Sequence, residues 1–328
     1  MRPPVPLGQF VEPPRRTPDR RLSPLPYAHT SLQPPLPYHG GVTNTREGST
    51  MSAERTESKF FSVEPNVQIH YWDAGDPTAP ALVFVPGLTF SGEVFMHQLE
   101  HFKATYRVIL VDPRGQGLST KSPWGNDYQT HGADLVKLVE GLGLVKPTLV
   151  GWSCGNLEVW SYLEQTGVDS VAGAVTIDMS PLPHNEDPAA WTEGSPEELS
   201  EVMTRVLISK EASDAFWKEY LTEVMWQGPI TEAQIEYYLG LGAGCPTWVC
   251  HELFGDAILS DYRAIAQEAA KRIPTLMFIA EHWADVAEPW YQALCPETPT
   301  HVMGGHLMAA QFPERFNQRL EEFLVTGK

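Results

Sequence analysis

Thr148-Leu149-Val150-Gly151-Trp152-Ser153-Cys154-Gly155 is the stretch of the chain that decides its fold. Its apolar beginning predicts a buried strand, and the residues that follow it favour a helix. Gly-x-Ser-x-Gly between a strand and a helix is typical of a nucleophile elbow, a turn so sharp that the serine backbone is strained. The glycines leave room for neighbouring atoms. The pattern predicts that the Ser153 hydroxyl is exposed at the top of a parallel sheet.

Strand and helix patterns alternate on both sides of this turn. Short apolar or alternating runs predict strands at 67–72, 81–85, 106–111, 148–151, 171–178, 275–280 and 299–303. Amphipathic patterns predict helices at 92–103, 126–141, 154–165, 286–294 and 313–325. This alternation predicts an α/β fold, in which a mostly parallel central sheet is covered by helices on both faces.

Between Pro181 and about Ser260 the alternation stops and helical patterns take over, at 197–208, 212–226 and 231–241. Thr231 and Gln234 have the spacing of a capping box. We predict that residues 182–262, approximately, form a helical lid inserted after the sixth strand. Some of its many aromatic residues would form its own core, whereas others would face the cleft. The candidate substrate-binding residues are Trp191 and Trp226 in the insertion and Trp152 beside Ser153.

The first 55 residues have a different composition from the rest of the chain. Eleven of the 29 prolines fall between Pro3 and Pro37, and apolar periodicity is almost absent. Such a segment cannot bury enough surface to offset its ordering entropy, so we predict a disordered Pro-rich tail at 1–55 and a folded domain at 56–328. Clustered arginines leave a mitochondrial presequence open, although the prolines disfavour its amphipathic helix. Met51 is an alternative start.

Charge and composition exclude several classes of partner. The net charge is −18, which repels phosphate backbones and anionic lipid, so we expect neither nucleic-acid nor membrane binding. No apolar run approaches the 18 residues of a membrane span. The four cysteines lack metal-ligand spacing, so we predict reduced thiols, no metal, no cofactor and a cytoplasmic location. The expected partner is a small hydrophobic substrate, and the oligomeric state stays open.

Residues 59–328 resemble the α/β-hydrolase superfamily, in its serine hydrolase branch with a helical lid. The resemblance lies in motifs that occur in the superfamily's order: Pro86-Gly87-Leu88, Asp112-Pro113-Arg114-Gly115-Gln116-Gly117-Leu118-Ser119, Gly151-Trp152-Ser153-Cys154-Gly155, Gly304-Gly305-His306 and Phe312-Pro313-Glu314-Arg315-Phe316-Asn317. The fold hosts many reactions, so the resemblance alone does not name this one.

The resemblance implies a role for several residues. Ser153 would be the nucleophile and His306 its base, because a serine hydroxyl needs a base to attack. His301 is the local competitor, but it falls inside the last strand. The backbone N–H groups of Leu88 and Cys154 would form the oxyanion hole. Pro86 replaces a histidine that often braces this loop. The Cys154 thiol is expected to pack rather than react, and the loop from Asp112 to Ser119 to be structural.

The acid that orients His306 has two candidates. The superfamily usually places it just after the seventh strand, where Trp283 occupies the commonest position and Asp285 lies two residues beyond. A minority uses the end of the sixth strand, where Asp178 lies. Both choices keep the order serine, acid, histidine. We favour Asp178, because functional groups collect at the carboxyl ends of strands in open α/β sheets. Asp285 is the alternative, and Glu281 is a third.

Three classes of function follow from these residues. The first is a serine hydrolase that cleaves a small hydrophobic ester, lactone or thioester through a Ser-His-Asp triad and an acyl-enzyme. The second is a cofactor-independent oxygenase, lyase or C–C hydrolase that uses the His-Asp pair as a base. The third is a non-catalytic binding protein. Epoxide hydrolases and haloalkane dehalogenases resemble the fold, but they need a carboxylate where Ser153 stands.

Overall fold

The fold is built on one large sheet, seen in a computed structural model that describes residues 56–327 apart from 186 and 188. Within these residues the sheet has eight strands in the order β1-β2-β4-β3-β5-β6-β7-β8. The strands are Glu57–Glu64, Val67–Ala74, Ala81–Val85, Arg107–Asp112, Thr148–Trp152, Gly173–Ile177, Thr275–Ile279 and Thr300–Val302, numbered β1 to β8 along the chain. The predicted Pro-rich tail lies outside the described residues.

Strand direction divides the sheet into two parts. The β1–β2 and β2–β4 pairs are antiparallel, whereas every pair from β4 through β3 to β8 is parallel. Each residue of β3, β5, β6 and β7 is buried, as expected for parallel strands covered on both faces. The register places Trp152 opposite Ile177, so the residues that follow β5 and β6 leave the sheet side by side.

Helices cover both faces and confirm the predicted α/β class. They are Met96–Phe102, Tyr128–Gly141, Gly155–Thr166, Pro196–Glu201, Lys210–Tyr220, Glu232–Gly242, Thr247–Leu259, Arg263–Arg272, Ala284–Leu294, Met308–Gln311 and Pro313–Thr326, numbered α1 to α11. The predicted strands and helices outside residues 182–262 lie close to these bounds. Strand β1 was not predicted. It lies at the sheet edge, where Phe60 is exposed, Phe61 half-buried and Val63 buried, so its pattern is weak.

Residues 182–262, here called the helical insertion, follow β6 and contain α4 to α7. The capping box predicted at Thr231 is present, since Thr231 and Gln234 exchange side-chain and backbone hydrogen bonds. Two segments predicted as continuous helices instead end in π-helical turns, at Val202–Val206 and Leu221–Met225. The action of the insertion as a lid stays a prediction. In the described part of the chain, no helix combines the length and the apolar character that crossing a membrane requires.

Candidate active site

Ser153 lies in the sharp turn between β5 and α3. Its φ is +53°, in the left-handed region that residues other than glycine rarely adopt. Its N–H donates to the Ile177 carbonyl at 2.8 Å, which ties the turn to the end of β6. A Cβ on Gly87 would lie 2.9 Å from the Ser153 Cβ, and one on Gly155 would collide with the Val85 carbonyl. The glycines therefore let β3, its following loop and α3 close around the serine.

His306 and Asp178 are in direct contact. Asp178 directly follows β6, also at a positive φ of +56°, and its Oδ2 lies 2.6 Å from His306 Nδ1. Both side chains are buried. The other carboxylate oxygen accepts hydrogen bonds from the Ala280 N–H at 2.7 Å and from Trp283 Nε1 at 2.8 Å. These donors orient the carboxylate toward the imidazole, and Nε2 is the ring nitrogen left for another partner.

The other candidate acids lie elsewhere. Asp285 is exposed in the first turn of α9. Glu281 is also exposed, and its Oε1 accepts a hydrogen bond from the Gly304 N–H at 3.1 Å. His301, the competing histidine, is half-buried in β8, and its ring packs against Phe278. The structure thus brings Asp178, and neither of the alternatives, against His306.

Aromatic rings surround the imidazole. The ring centroids of Trp152, Trp283 and Tyr220 lie 5.4, 5.9 and 6.0 Å from that of His306. Trp152 Nε1 also donates to the His306 carbonyl at 2.7 Å. Trp152, predicted to bind substrate, therefore holds both the elbow and the histidine loop.

The loop after β3 carries one of the two predicted oxyanion donors, the Leu88 N–H, whereas Cys154 lies directly before α3. Among the described residues, neither the Leu88 nor the Cys154 backbone N–H donates to a backbone carbonyl. Gln116 braces this loop: its Oε1 accepts from the Thr89 N–H at 2.8 Å, and its Nε2 donates to the carbonyls of Gly87 and Phe90 at 3.2 and 3.0 Å. Gln116 therefore takes over the bracing that Pro86 cannot supply. Sequence reasoning missed it, because the Asp112–Ser119 motif was read as a structural turn.

The Cys154 thiol is packed, as expected from its position. Burial raises the pKa of Cys154 to about 12, although the hydroxyls of Tyr128 and Ser153 and the Leu88 N–H act in the opposite direction. A thiol with so high a pKa is almost entirely protonated near neutral pH and is a poor nucleophile. Ser153, rather than its neighbour, remains the candidate nucleophile.

A cavity of about 490 Å³ begins beside the loop after β3, and Ser153, His306 and Asp178 are not among its lining residues. One wall is Thr89 and Phe90, directly after Leu88. Another includes Met225, whose carbonyl accepts from the Leu307 N–H at 2.9 Å, next to His306. The remaining lining is mostly apolar and comes from the helical insertion, including Trp217, Leu221, Tyr238, Leu239 and Cys250.

The three tryptophans predicted to bind substrate do not line this cavity. Trp191 is buried and packs edge-on against Tyr291. Trp226 is half-buried, packs against Tyr238 and donates Nε1 to the Pro229 carbonyl at 3.2 Å. Phe90, Trp217 and Tyr238 line the cavity instead. Substrate contact by the predicted tryptophans stays a prediction.

Known proteins share this fold and parts of this sequence. Residues 80–208 match the family model of the alpha/beta hydrolase fold. Over 125 residues, 37% of this chain, the sequence is 34% identical to a non-heme chloroperoxidase of Burkholderia pyrrocinia. Over 123 residues, also 37% of the chain, it is 34% identical to a bifunctional esterase/perhydrolase of Acinetobacter calcoaceticus. Each alignment spans 45% of the curated relative's length.

A solved structure extends the likeness over most of the fold. The bromoperoxidase from Bacillus anthracis superposes with a TM-score of 0.73 and 25% identity, over 82% of this chain and 99% of that one. The shared sheet, the serine turn after β5 and the order of the motifs lead to one conclusion. The chain belongs to the α/β-hydrolase superfamily.

Proposed function

We propose that the protein is a serine hydrolase that cleaves a small hydrophobic carboxylic ester, lactone or thioester. The observation that carries this proposal is the 2.6 Å contact of Asp178 with His306, whose carbonyl accepts a hydrogen bond from Trp152, the residue before Ser153. The names of the curated relatives include an esterase/perhydrolase, which supports chemistry of the acyl-transfer type.

In this proposal His306 Nε2 removes the Ser153 proton as Oγ attacks the substrate carbonyl. Asp178 keeps the proton of the neutral imidazole on Nδ1 and stabilises the imidazolium that forms. The Leu88 and Cys154 N–H groups would bind the oxyanion of the tetrahedral intermediate. His306 then protonates the leaving group, and a water molecule, activated by the same imidazole, releases the acid and regenerates Ser153.

The size and the lining of the cavity beside the β3 loop support a hydrophobic substrate. Its volume lies within the range of small-molecule sites, and its walls are mostly apolar. Since one wall follows the oxyanion loop and another contacts the histidine loop, an acyl or alcohol group in the cavity would extend from the reacting carbonyl. The helical insertion supplies most of the lining, which is the basis for its proposed role as a lid.

Labelling with a fluorophosphonate probe tests the proposal directly. The probe forms a covalent bond only with an activated serine, so we expect one label per chain, on Ser153. Peptide mapping by mass spectrometry identifies the site. A protein that does not react would be a binding protein or would use the His306–Asp178 pair as a base on a non-ester substrate.

The chain length of the acyl group should control the rate. Burying one additional methylene contributes about 0.8 kcal/mol, so each added carbon should raise kcat/KM by up to roughly fourfold until the cavity is full. The measurement is kcat/KM for p-nitrophenyl esters from acetate to octanoate. A flat profile would show that the cavity does not hold the acyl chain.

Leu239→Trp should shift this preference toward short esters. Leu239 lines the cavity and is half-buried on α6, so a larger side chain there reduces the available volume. We expect the ratio of octanoate to acetate kcat/KM to fall about tenfold or more, the equivalent of two or more methylenes. Leu259→Trp is the matched control, because Leu259 is 85% exposed at the end of α7. Equal profiles for the two variants would place the acyl group elsewhere.

A further inference from the structure

The carboxyl of Glu193, on the helical insertion, has an unpaired oxygen beside the candidate active site. Its Oε1 is shut off from solvent and has no hydrogen-bond partner among the described residues. The segment is held in place, since the Glu193 N–H donates to the Pro183 carbonyl at 2.8 Å. The backbone N–H of Ser180, two residues beyond Asp178, donates a hydrogen bond to this carboxyl. The side chain is therefore positioned by the chain that leaves β6.

Four titratable groups face this carboxyl. They are His306, Asp178, the Tyr220 hydroxyl of α5 and the Cys154 thiol before α3, each near enough to interact electrostatically with it. Burial raises the pKa of Glu193 to about 7. Asp178 raises this pKa further, whereas His306 and the Ser180 N–H lower it. The carboxyl thus borders the site where a substrate would react and changes charge near neutral pH.

Two buried acids elsewhere in the described part of the fold are paired. Glu158 on α3 lies 2.9 Å from His131 Nδ1, and Asp134 forms a bidentate ion pair with Arg114. At Glu193 the neighbouring base is His306, whose Nδ1 already contacts Asp178. An unpaired buried acceptor destabilises a protein unless a partner arrives, so its presence near His306 and Asp178 indicates a ligand group.

We propose that Glu193 determines specificity by accepting a hydrogen bond from a hydroxyl or ammonium group of the substrate. The inference rests on the proposed hydrolase function and narrows it: the substrate combines a hydrophobic body with one hydrogen-bond donor. Ammonium and hydroxyl differ in their dependence on the charge of Glu193. An ammonium requires the carboxylate, whereas a hydroxyl can bond to either protonation state.

The test compares three isosteric esters: phenyl 4-ethylbenzoate, phenyl 4-(hydroxymethyl)benzoate and phenyl 4-(aminomethyl)benzoate. A second set carries the same groups on the alcohol, as aryl acetates. At pH 8 we expect wild-type kcat/KM to favour a donor-bearing ester about tenfold or more over its ethyl isostere in at least one set. If the donor is ammonium, the preference should rise with pH through about 7, as Glu193 ionises. For a hydroxyl it should be nearly independent of pH.

Substitutions then assign the preference to Glu193. Glu193→Leu should bring the kcat/KM ratio of the donor-bearing ester to its ethyl isostere near one, and Glu193→Gln should remove an ammonium preference but retain part of a hydroxyl preference. Glu197→Gln, an exposed change four residues away, is the control and should keep the wild-type ratio. A wild-type ratio near one in both sets overturns the inference without any variant, and so does a ratio that survives in Glu193→Leu.

Fluorophosphonate labelling of the same preparation separates the two proposals. Labelling at Ser153 and turnover of all esters without discrimination overturn only the role of Glu193. An unlabelled protein that turns over none of them overturns the hydrolase function and the specificity that depends on it.

Discussion

Ser153→Ala should lower kcat for a short aromatic ester by about 10⁴-fold or more, because no other group near His306 can form the acyl-enzyme. His306→Ala should cost nearly as much, since the serine needs its base. The two substitutions together should cost little more than either one, because nucleophile and base act as a unit. The measurement is steady-state kcat for wild type, both single variants and the double variant.

The folding of each variant has to be measured as well as its kcat. His306 is buried and bonded through its carbonyl to Trp152, so its replacement also removes packing. Far-ultraviolet circular dichroism and the melting temperature should show that each variant is folded. Ser200→Ala, an exposed change on α4, is the matched control and should leave kcat unchanged. Activity retained by Ser153→Ala would contradict the hydrolase function and favour base chemistry on a non-ester.

Asp178→Asn should lower kcat by roughly two or more orders of magnitude, as loss of the orienting carboxylate does in other triads. The remaining carbonyl oxygen can still accept from Ala280 and Trp283, so the amide group would face His306 Nδ1. An amide donates a proton where the carboxylate accepted one. The imidazole would then carry its proton on Nε2, which is the wrong tautomer to act as a base toward Ser153.

Asp285→Asn is the control for this substitution. Asp285 is exposed on α9, and we expect its replacement to cost less than about tenfold. Each kcat should be measured with the ester used for wild type. If Asp285→Asn were the severe variant and Asp178→Asn the mild one, the triad acid would belong after the seventh strand, in a rearranged site.

The backbone features of this fold are readable in the sequence because they depend on local rules. The run from Thr148 to Gly155 predicts a strand, a tight turn and a helix, and the structure has β5, the Ser153 turn and α3 there. The Thr231 capping box is local in the same way. Strand β1 escaped prediction because its alternate residues are exposed at an edge, where polar and apolar side chains are both tolerated.

The composition of the site was less predictable, because it depends on contacts between distant segments. Chain order permits either Asp178 or Asp285 beside His306, and only the three-dimensional arrangement shows which carboxyl meets the ring. Helical periodicity likewise leaves open which face of the insertion meets the cavity, so Trp217 was not distinguished from Trp226. Glu193 lies in a loop without periodicity, and its burial arises entirely from the chain that folds around it.

The links to His306 have a consequence for how activity arises during protein synthesis. Asp178 and Trp152 precede this histidine by 128 and 154 residues. A nascent chain that has emerged only through β7 carries the Ser153 turn and Asp178 but lacks His306, the proposed base. Domains fold as units while translation proceeds from the N-terminus, so activity should appear only after β8 and the histidine loop have left the ribosome and docked. Catalytic activity would then appear only once the sheet is complete, and a chain whose synthesis stops before β8 would be inactive.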